Sequence, residues 1–498
     1  MPMKDLNLIL RGGTVVTHDG ERVADIGVAD GKIVSLGDGG PAREEIDATG
    51  LHIFPGVLDA HVHFNEPGRT DWEGIETGSR ALAAGGGTLF FDMPLNAHPP
   101  TCDAASFDLK LAAAQKKSVT DFAFWGGLVP GNADKLEELA ARGVIGFKAF
   151  MADSGIEDFA CVDDATLREG MKRAAKLKLP VAVHAESETL TSRLAREKIA
   201  AGKISIRDYL DSRPVAAELD AIRRAIDLAG ETGCALHVVH VSSGEGVVLV
   251  AAAKKSGVDV SCETCPHYLV LTEADMEKLG AVAKCAPPLR PASVQENLWQ
   301  QLLAGNITTV GSDHSPSPPE LKTDQNFFKV WGGISGGQHT LPLLLTKVAA
   351  GILPAVEPGF QPGGEKAVHP TRVDNLRGTA SSSANPGGRM PPSTAGKMPA
   401  ATSFQLIADL LSANVARRFQ IPHKGKIALG FDADFALVDL RQSFTVSPAD
   451  LFYRHKQSPY VGRALTGRVV QTILRGNTVF KDGKIVSRPM GRLAKPSH

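Results

Sequence analysis

The sequence predicts an α/β protein in which a (β/α)8 TIM barrel is joined to a small β-sandwich domain built from both chain termini. In the middle of the chain, short apolar runs alternate with longer helix-like stretches, and about eight such repeats close most economically into a parallel barrel. At the two ends, β-rich runs are broken by turn pairs such as Asp19-Gly20, which are typical of hairpins. In addition, Arg11–Val16 (RGGTVV) closely resembles Arg475–Phe480 (RGNTVF), so we expect the ends to share one domain.

The expected elements follow this alternation along the chain. N-terminal strands are expected at Leu6–Leu10, Thr14–Thr17, Ile26–Ala29 and Lys32–Leu36. A first barrel strand follows from Phe54, and later ones are expected at Thr88–Met93, Asp121–Leu128, Gly143–Met151, Pro180–His184, Ala235–Val241, Asp259–Thr264 and Thr308–Gly311. The clearest helices are expected at Ala133–Arg142, Asp164–Leu177, Ala216–Thr232 and Ser243–Ser256. C-terminal strands are expected at Phe435–Asp439, Val469–Arg475 and Thr478–Phe480.

Length suggests more than one domain, since 498 residues exceed the ~100–200 of an ordinary domain. We expect residues 1–53 and 424–498 to form the β-sandwich domain and residues 54–423 to form the barrel. Between Ile352 and Ala400, however, eight Pro and seven Gly fall within 49 residues, and apolar periodicity is absent. This composition cannot bury a core, so we interpret residues 352–400 as a mobile insert rather than as a binding element.

Composition and charge exclude several classes of protein. With 43% hydrophobic and 22% charged residues, the chain can bury a large core and is not disordered as a whole. Its 54 basic residues nearly cancel 55 acidic ones, which argues against a nucleic-acid partner. Apolar runs are far shorter than the ~18–20 residues that span a bilayer, and the N-terminus lacks the apolar region of a signal peptide. Six cysteines are too few for a disulfide framework, so we expect a cytoplasmic protein.

The strongest local pattern is the His61-Val62-His63 triplet at the end of the first barrel strand. Residues i and i+2 of a strand point to the same face, so the two imidazoles can converge on one metal ion. Imidazole is the commonest neutral nitrogen ligand for zinc-like metals. A His-x-His triplet alone is also compatible with structural histidines.

Further ligand types follow other barrel strands. His184 ends an apolar strand, His240 ends the next one, and Asp313 follows the last. In barrel enzymes the catalytic groups sit at the C-terminal ends of the strands, which all open on one mouth. Any one of these histidines could be a core residue, but four at strand ends predict a metal site.

Lys148 lies in the apolar stretch Gly143–Met151 (GVIGFKAFM), where a charged ammonium is costly to bury. Burial favours the neutral amine, which is the form that reacts with carbon dioxide to give a carbamate. A carbamate is an anion with two oxygens that can bridge two ions. From the residues alone, a lysine that snorkels from a strand end to solvent is the simpler interpretation.

Taken in order, His61-Val-His63, Lys148, His184, His240 and Asp313 resemble the amidohydrolase superfamily with a binuclear metal centre, over nearly the whole chain except the insert. The resemblance implies that His61 and His63 hold a buried ion and that Lys148, as N6-carboxylysine, bridges two ions. It implies that His184 and His240 hold the exposed ion. Asp313 would bind the buried ion and act as general base. Zinc is favoured, although iron, manganese or cobalt suit the same ligands.

The flanking residues resemble one family of cyclic amidohydrolases. Dihydroorotases typically carry, two residues after the histidine pair, an arginine that binds the substrate carboxylate, whereas this chain has Asn65. The longer string His61–Gly74 (HVHFNEPGRTDWEG) is similar to the allantoinase signature. Similar matches are Asp92–Asn96 (DMPLN), Phe124–Gly131 (FWGGLVPG), Gly146–Phe150 (GFKAF), Glu263–Tyr268 (ETCPHY), Ser312–Pro316 (SDHSP), Trp331–Gly336 (WGGISG) and His455–Tyr460 (HKQSPY). The chain departs from many relatives at Ser317, where Cys or Thr is expected.

This resemblance implies hydrolysis of the hydantoin ring of allantoin, a small neutral ureide, to allantoate, and by analogy a homotetramer. Hydantoinase, dihydropyrimidinase or dihydroorotase-like activity is the alternative within the same chemistry. A non-catalytic interaction protein with the same fold is the alternative of another class. Asn65 and Ser315 are candidate substrate contacts, because each follows a strand end.

Overall fold

The computed structural model describes residues 5–17, 19–37, 39–351 and 400–497. Its strands in chain order are β1 (Leu6–Thr17), β2 (Gly20–Ala29), β3 (Lys32–Leu36), β4 (Ala42–Asp47), β5 (His52–Pro55), β6 (Val57–Val62), β7 (Gly87–Asp92), β8 (Asp121–Phe124), β9 (Gly126–Gly127), β10 (Phe147–Phe150), β11 (Val181–His184), β12 (Leu236–Val238), β13 (Val260–Thr264), β14 (Thr309–Val310), β15 (Phe435–Thr445), β16 (Ala464–Leu474), β17 (Asn477–Lys481) and β18 (Lys484–Ile485). The predicted insert over residues 352–400 lies, apart from Ala400, outside the described residues.

The helices largely follow the sequence expectation. They are α1 (Ile75–Ala84), α2 (Ala104–Lys117), α3 (Leu136–Arg142), α4 (Asp164–Lys176), α5 (Glu188–Ala200), α6 (Ile206–Asp211), α7 (Val215–Thr232), α8 (Gly244–Lys255), α9 (Pro266–Val270), α10 (Glu273–Leu279), α11 (Ala292–Leu303), α12 (Thr340–Ala349), α13 (Ala400–Ala408) and α14 (Asn414–Arg418). Local signals set their ends: Ser243 caps α8 by accepting from the Gly246 N–H, and Gly233, with φ 68°, ends α7 in the left-handed conformation that glycine tolerates. No helix in the described ranges is both long and apolar enough to cross a bilayer.

The barrel consists of a three-stranded sheet, β6-β7-β8, and a six-stranded sheet, β9-β10-β11-β12-β13-β14. The neighbouring strands pair in parallel. β8 and β9 are successive segments of one barrel strand on either side of Trp125. The main-chain N–H of Trp125 donates to the main-chain carbonyl of Asp92, at the end of β7. Val62 and His314 form a parallel bridge that brings the first strand beside the end of the last. The predicted barrel is therefore confirmed, with its strand ends gathered at one mouth.

Both termini enter one nine-stranded sheet. Strand β5 pairs in parallel with β1 on one side and antiparallel with β15 on the other, so the N-terminal and C-terminal strands are continuous. The repeated hexamers have different conformations there. Gly12 and Gly13 lie within β1, where the register with β2 shifts, whereas Arg475 and Gly476 form the turn between β16 and β17. The expected β-domain of both termini is present, and the exact domain boundaries remain a prediction.

A buried ion cluster joins this sheet to the barrel. The Lys424 ammonium lies 2.7 Å from a carboxylate oxygen of Asp121, 2.6 Å from one of Asp434 and 2.9 Å from one of Asp432. Asp121 opens barrel strand β8, while Asp432 and Asp434 lead into β15. Burial alone would lower the pKa of Lys424, but the three carboxylates outweigh burial and raise it. Lys424 therefore holds together carboxylates that would otherwise repel one another.

We expect Lys424→Met to lower the free energy of unfolding by about 3–5 kcal/mol, because the buried carboxylate of Asp434 loses its cation, although Arg475 still pairs with Asp121 and Lys32 with Asp432. Denaturant unfolding of the variant would measure the loss. Lys426→Met is the matched control, since Lys426 lies two residues away on the exposed surface. Equal stability of both variants would contradict a stabilising role for the cluster.

Candidate metal centre

His61, His63 and Asp313 form the first cluster at the barrel mouth. His61 lies near the end of β6, His63 follows that strand, and Asp313 follows β14. One oxygen of Asp313 lies 3.3 Å from Nε2 of His61 and 3.4 Å from Nε2 of His63. Their potential ligand atoms all lie within 4.8 Å of one another, which is close enough to share one ion. Burial raises the pKa of Asp313, but His61, His63 and His240 outweigh it and hold the pKa well below its usual range.

His184 and His240 form a second cluster beside the first. His184 is the last residue of β11, and its Nδ1 lies 3.0 Å from Nε2 of His240. The rings of His61 and His240 lie 5.4 Å apart between centroids, so the two clusters adjoin. Burial lowers the pKa of His240 far below its usual value, and His184 and Lys148 lower it further, which favours the neutral imidazole that ligates metals.

Lys148 lies in β10 and is fully buried. Its Nζ has no hydrogen-bond partner within the described ranges and lies 5.0 Å from the centroid of the Phe150 ring. Burial lowers the pKa of Lys148 to about 7, and the charges of Asp313 and Glu263 oppose the shift only in part. The side chain therefore does not snorkel to solvent. Because of the lowered pKa, its amine can lose its proton near physiological pH.

Two buried carboxylates orient the histidines from behind. Nδ1 of His61 donates to Glu263 at 2.7 Å, which leaves Nε2 for the cluster. Nε2 of His184 lies 2.9 Å from Glu186, which also pairs with Arg213. Burial raises the pKa of both carboxyls, but Arg213 and His184 beside Glu186, and His61 and His237 beside Glu263, outweigh it and lower each pKa to about 2. Both therefore stay ionised behind the histidines.

Asp59 ties the first and last barrel strands together. One of its oxygens accepts from the Ser312 N–H at 3.0 Å and from the His61 N–H at 3.2 Å. Burial raises the pKa of Asp59 to about 6. Since Ser312 precedes Asp313, this carboxyl holds the backbone on both sides of the first cluster.

Several residues at the mouth have left-handed backbone. The φ angles are 45° at Asp313, 41° at His240, 63° at Asn65 and 67° at Asn96. Residues other than glycine adopt this conformation at a cost, and such residues collect at functional sites. The chain turns sharply where each strand ends, and at His240 and Asp313 this turn sets the side chain at the mouth.

A cavity of about 390 Å³ opens over the two clusters. Besides the histidines and Asp313, its walls include Asn96, Ser154, Arg213, Lys284, Cys285, Ser315 and the stretch from Phe328 to Gly333. Of the two predicted substrate contacts, Ser315 lines this cavity. Asn65 does not, because its side chain is buried and donates to the carbonyl of Pro316 at 3.2 Å.

Sequence reasoning missed four residues of the site. Glu186 gave no signal, because no metal-ligand spacing marks it. Glu263 lies in Glu263–Tyr268, one of the stretches that carry the resemblance, but its pairing with His61, 202 residues away, was not visible in the sequence. Asp59 was hidden inside the first strand. Asn96 had a usable signal, since it follows a barrel strand within Asp92–Asn96, one of the stretches that carry the resemblance.

The amidohydrolase family pattern matches residues 52–352, and this range contains every residue of the two clusters. The chain belongs to the amidohydrolase family. It is 54% identical to an allantoinase of Rubrobacter xylanophilus, an alignment that covers 99% of this chain and 98% of that one. It is 48% identical to an allantoinase of Deinococcus radiodurans, with 99% of each covered.

Solved structures of other amidohydrolases share the fold over the whole length. The L-hydantoinase (dihydropyrimidinase) from Arthrobacter aurescens superimposes with a TM-score of 0.86 at 32% identity, covering 98% of this chain and 100% of that one. The dihydropyrimidinase from Brevibacillus agri gives 0.83 at 30% identity, with 98% of each covered. Membership of this family implies a divalent metal site.

The residues present fit such a site. His63 Nδ1 and Lys148 Nζ are buried without a partner among the described residues, and buried polar atoms normally have one. The donor set of imidazoles and a carboxylate is the one that zinc-like ions take. The cluster of His61, His63 and Asp313 thus offers the donor atoms that a divalent metal site requires.

We expect Glu263→Gln to weaken metal binding about 10–100-fold, because it removes the charge that orients His61 and makes it a better ligand. Competition with a graded series of chelators would measure the affinity. Glu296→Gln, on the exposed surface of α11, is the matched control. Unchanged affinity in the Glu263 variant would show that this carboxylate does not support the ligand.

Proposed function

We propose that the chain is an allantoinase, which opens the hydantoin ring of allantoin by hydrolysis to give allantoate in purine and ureide degradation. The observation that carries this proposal is the near full-length similarity to curated allantoinases, 54% and 48% identical in the two pairs described above. The intact set of ligand types at the barrel mouth supports it, since a barrel that had lost catalysis would have no reason to keep these costly buried groups.

We propose a binuclear centre. His61, His63 and Asp313 would hold one ion, His184 and His240 the other, and Lys148 as N6-carboxylysine would bridge them. Support comes from the two adjoining clusters and from the buried, unpartnered Lys148 amine. Zinc is proposed, although iron, manganese or cobalt suit the same donors.

When bound, divalent ions lower the pKa of water and polarise an amide carbonyl, which is the chemistry that an unactivated cyclic amide requires. The chain itself supplies proton transfer. Asp313 is held as the ionised carboxylate by His61 and His63, so it is ready to take a proton from the attacking water. It then returns that proton to the leaving nitrogen as the ring opens. Glu263 accepts from Nδ1 of His61, which leaves Nε2 of that ring free to bind an ion.

The cavity suits an uncharged ring. Where dihydroorotases carry an arginine that binds a carboxylate, the chain has Asn65, whose short side chain is buried and does not line the cavity. Among the cations of the wall, Arg213 is paired with Glu186, the Lys284 ammonium donates to backbone carbonyls, and Lys329 is exposed to solvent. Ser315 and Asn96 supply neutral polar groups.

Hydantoinase or dihydropyrimidinase activity is the second candidate, because the superimposed structures are of enzymes with those names.

We also propose a homotetramer by analogy with relatives. Cytoplasmic localisation is proposed because all six cysteines are free, as in a reducing compartment.

We expect the purified protein to open allantoin at least about tenfold more efficiently, by kcat/KM, than hydantoin, dihydrouracil or dihydroorotate, a difference of about 1.4 kcal/mol in transition-state binding. Side-by-side ring-opening assays would measure this. A preference for hydantoin or dihydrouracil would favour the second candidate instead. Absence of turnover on all four, in protein that contains metal, would indicate a non-catalytic barrel.

We expect Lys148→Ala to lose activity and about one ion in two per chain, because the proposed bridge is gone. Added acetate or propionate should restore part of the activity, since a short carboxylate can occupy the space of the carbamate. Lys176→Ala, on the exposed end of α4, is the control. A Lys148→Ala variant with full activity and full metal content would refute the bridging role.

A further inference from the structure

One wall of the cavity is a stretch of chain without regular structure. We call residues 327–333 the wall segment; it follows the last barrel strand, and its residues from Phe328 to Gly333 line the cavity. Outside helices and strands, buried backbone carbonyls need other donors. In the wall segment, most of these donors come from two lysine side chains.

Lys284 supplies the first three donors. Its Nζ donates to the carbonyls of Phe327 at 2.6 Å, Phe328 at 3.4 Å and Val330 at 2.5 Å. An ammonium has three N–H groups, so each has one carbonyl. The main chain adds a fourth contact, because the Gly333 N–H donates to the carbonyl of Lys284 at 2.7 Å.

Lys322 completes the arrangement from the other side. Its Nζ donates to the carbonyls of Trp331 at 3.1 Å and Gly333 at 3.0 Å. Its third contact, at 3.3 Å, is the carbonyl of Ala281, in the loop that also leads to Lys284. The two ammonium groups therefore take up five of the seven carbonyls in the wall segment.

An aromatic pocket encloses the Lys284 ammonium. Nζ lies 4.5 Å from the ring centroid of Tyr209 and 5.1 Å from that of Phe327, both suitable distances for a cation–π contact. The Tyr209 hydroxyl in turn donates to the carbonyl of Cys285 at 2.9 Å. Helix α6, the loop around residue 284 and the wall segment thus meet at one cation.

Neither lysine has an anionic partner in the parts of the chain that the structure describes. No carboxylate there lies within ion-pair distance of Lys284 or Lys322, so carbonyl dipoles stabilise the two charges, with the two aromatic rings adding to them at Lys284. Burial lowers the pKa of Lys284 to about 7 and that of Lys322 to about 8. Burial of these two ammonium groups costs free energy, and no carboxylate compensates for it. The carbonyls of the wall segment are therefore the main groups that bind them.

We propose that Lys284 and Lys322 are positioning residues that fix the wall segment in the shape that binds the cyclic amide substrate. They touch no reacting atom in this proposal and act only through the main chain of the wall. The claim that the wall segment binds the cyclic amide rests on the proposed function above. The claim that the two lysines hold the wall segment does not.

The test uses Lys284→Met and Lys322→Met, which shorten the side chain by one atom and remove all three donors. KM for the substrate should rise about tenfold or more in each, since buried carbonyls lose their partners and the wall relaxes. kcat should change less than about threefold and metal content should stay the same, because the proton-transfer groups and ligands are untouched. Lys278→Met, on the exposed face of α10, is the control and should match the wild type.

Hydrogen–deuterium exchange of the peptide over residues 326–334, without substrate, separates this proposal from the proposed function. Faster exchange there in both Met variants, and not in the control, is expected even if allantoin proves not to be the substrate. Unchanged exchange would overturn the holding role. Two results would overturn the substrate-binding role. One is faster exchange of the wall segment with an unchanged KM; the other is a tenfold fall in kcat with a constant KM.

If a Met variant does not fold, Lys284→Arg and Lys322→Arg replace it. Arginine keeps the charge but presents a planar fork, which cannot reach three carbonyls arranged around one nitrogen. A rise in KM with kcat preserved is again expected, smaller than for methionine. Wild-type KM in both Arg variants would overturn the proposal, because it would show that charge alone is sufficient.

Discussion

Mutual charge compensation among buried groups is the constraint on which this structure depends. Four histidines, a lysine and an aspartate crowd one mouth of the barrel, where none can be fully hydrated. Isolated, each would be too costly to ionise there. The carboxylate of Asp313 is stabilised by the imidazoles around it, and Glu263 and Glu186 by the histidines and Arg213 behind them. The positions of Asp313, Glu263 and Glu186 are therefore fixed by their neighbours before any metal arrives, whereas the Lys148 amine has no such partner among the described residues.

The parallel barrel makes such a cluster achievable with short, separate stretches of chain. Five of the strands, β6, β10, β11, β12 and β14, each bring one or two of these side chains to the mouth, and the left-handed backbone at His240 and Asp313 marks two of the turns that follow. Asp59 secures the seam between first and last strand by accepting from the backbone of both sides. Rigid strands thus carry the ligands, while the outer wall of the cavity is irregular chain held by side-chain donors.

Much of this architecture could be predicted from sequence because it depends on local patterns. The alternation of apolar runs and helical stretches predicted the barrel, and the position of His184, His240 and Asp313 after apolar runs predicted their convergence. What could not be predicted depends on distant pairing. Glu263 lies 202 residues from His61, and the carbonyls that Lys284 gathers lie more than forty residues away. The repeated hexamers also misled in detail, since one lies at a register shift and the other forms a turn.

The continuity of the nine-stranded sheet has a consequence for synthesis on the ribosome. Strand β5 meets β15 about 380 residues further along the chain, so the edge of β5 stays without this partner until nearly the whole barrel has been made. An open strand edge is prone to pair wrongly, and such distant contacts form slowly. Strand β15, which begins at residue 435 of 498, therefore closes the edge of a strand that ended at residue 55, and an incompletely translated chain would keep that edge exposed.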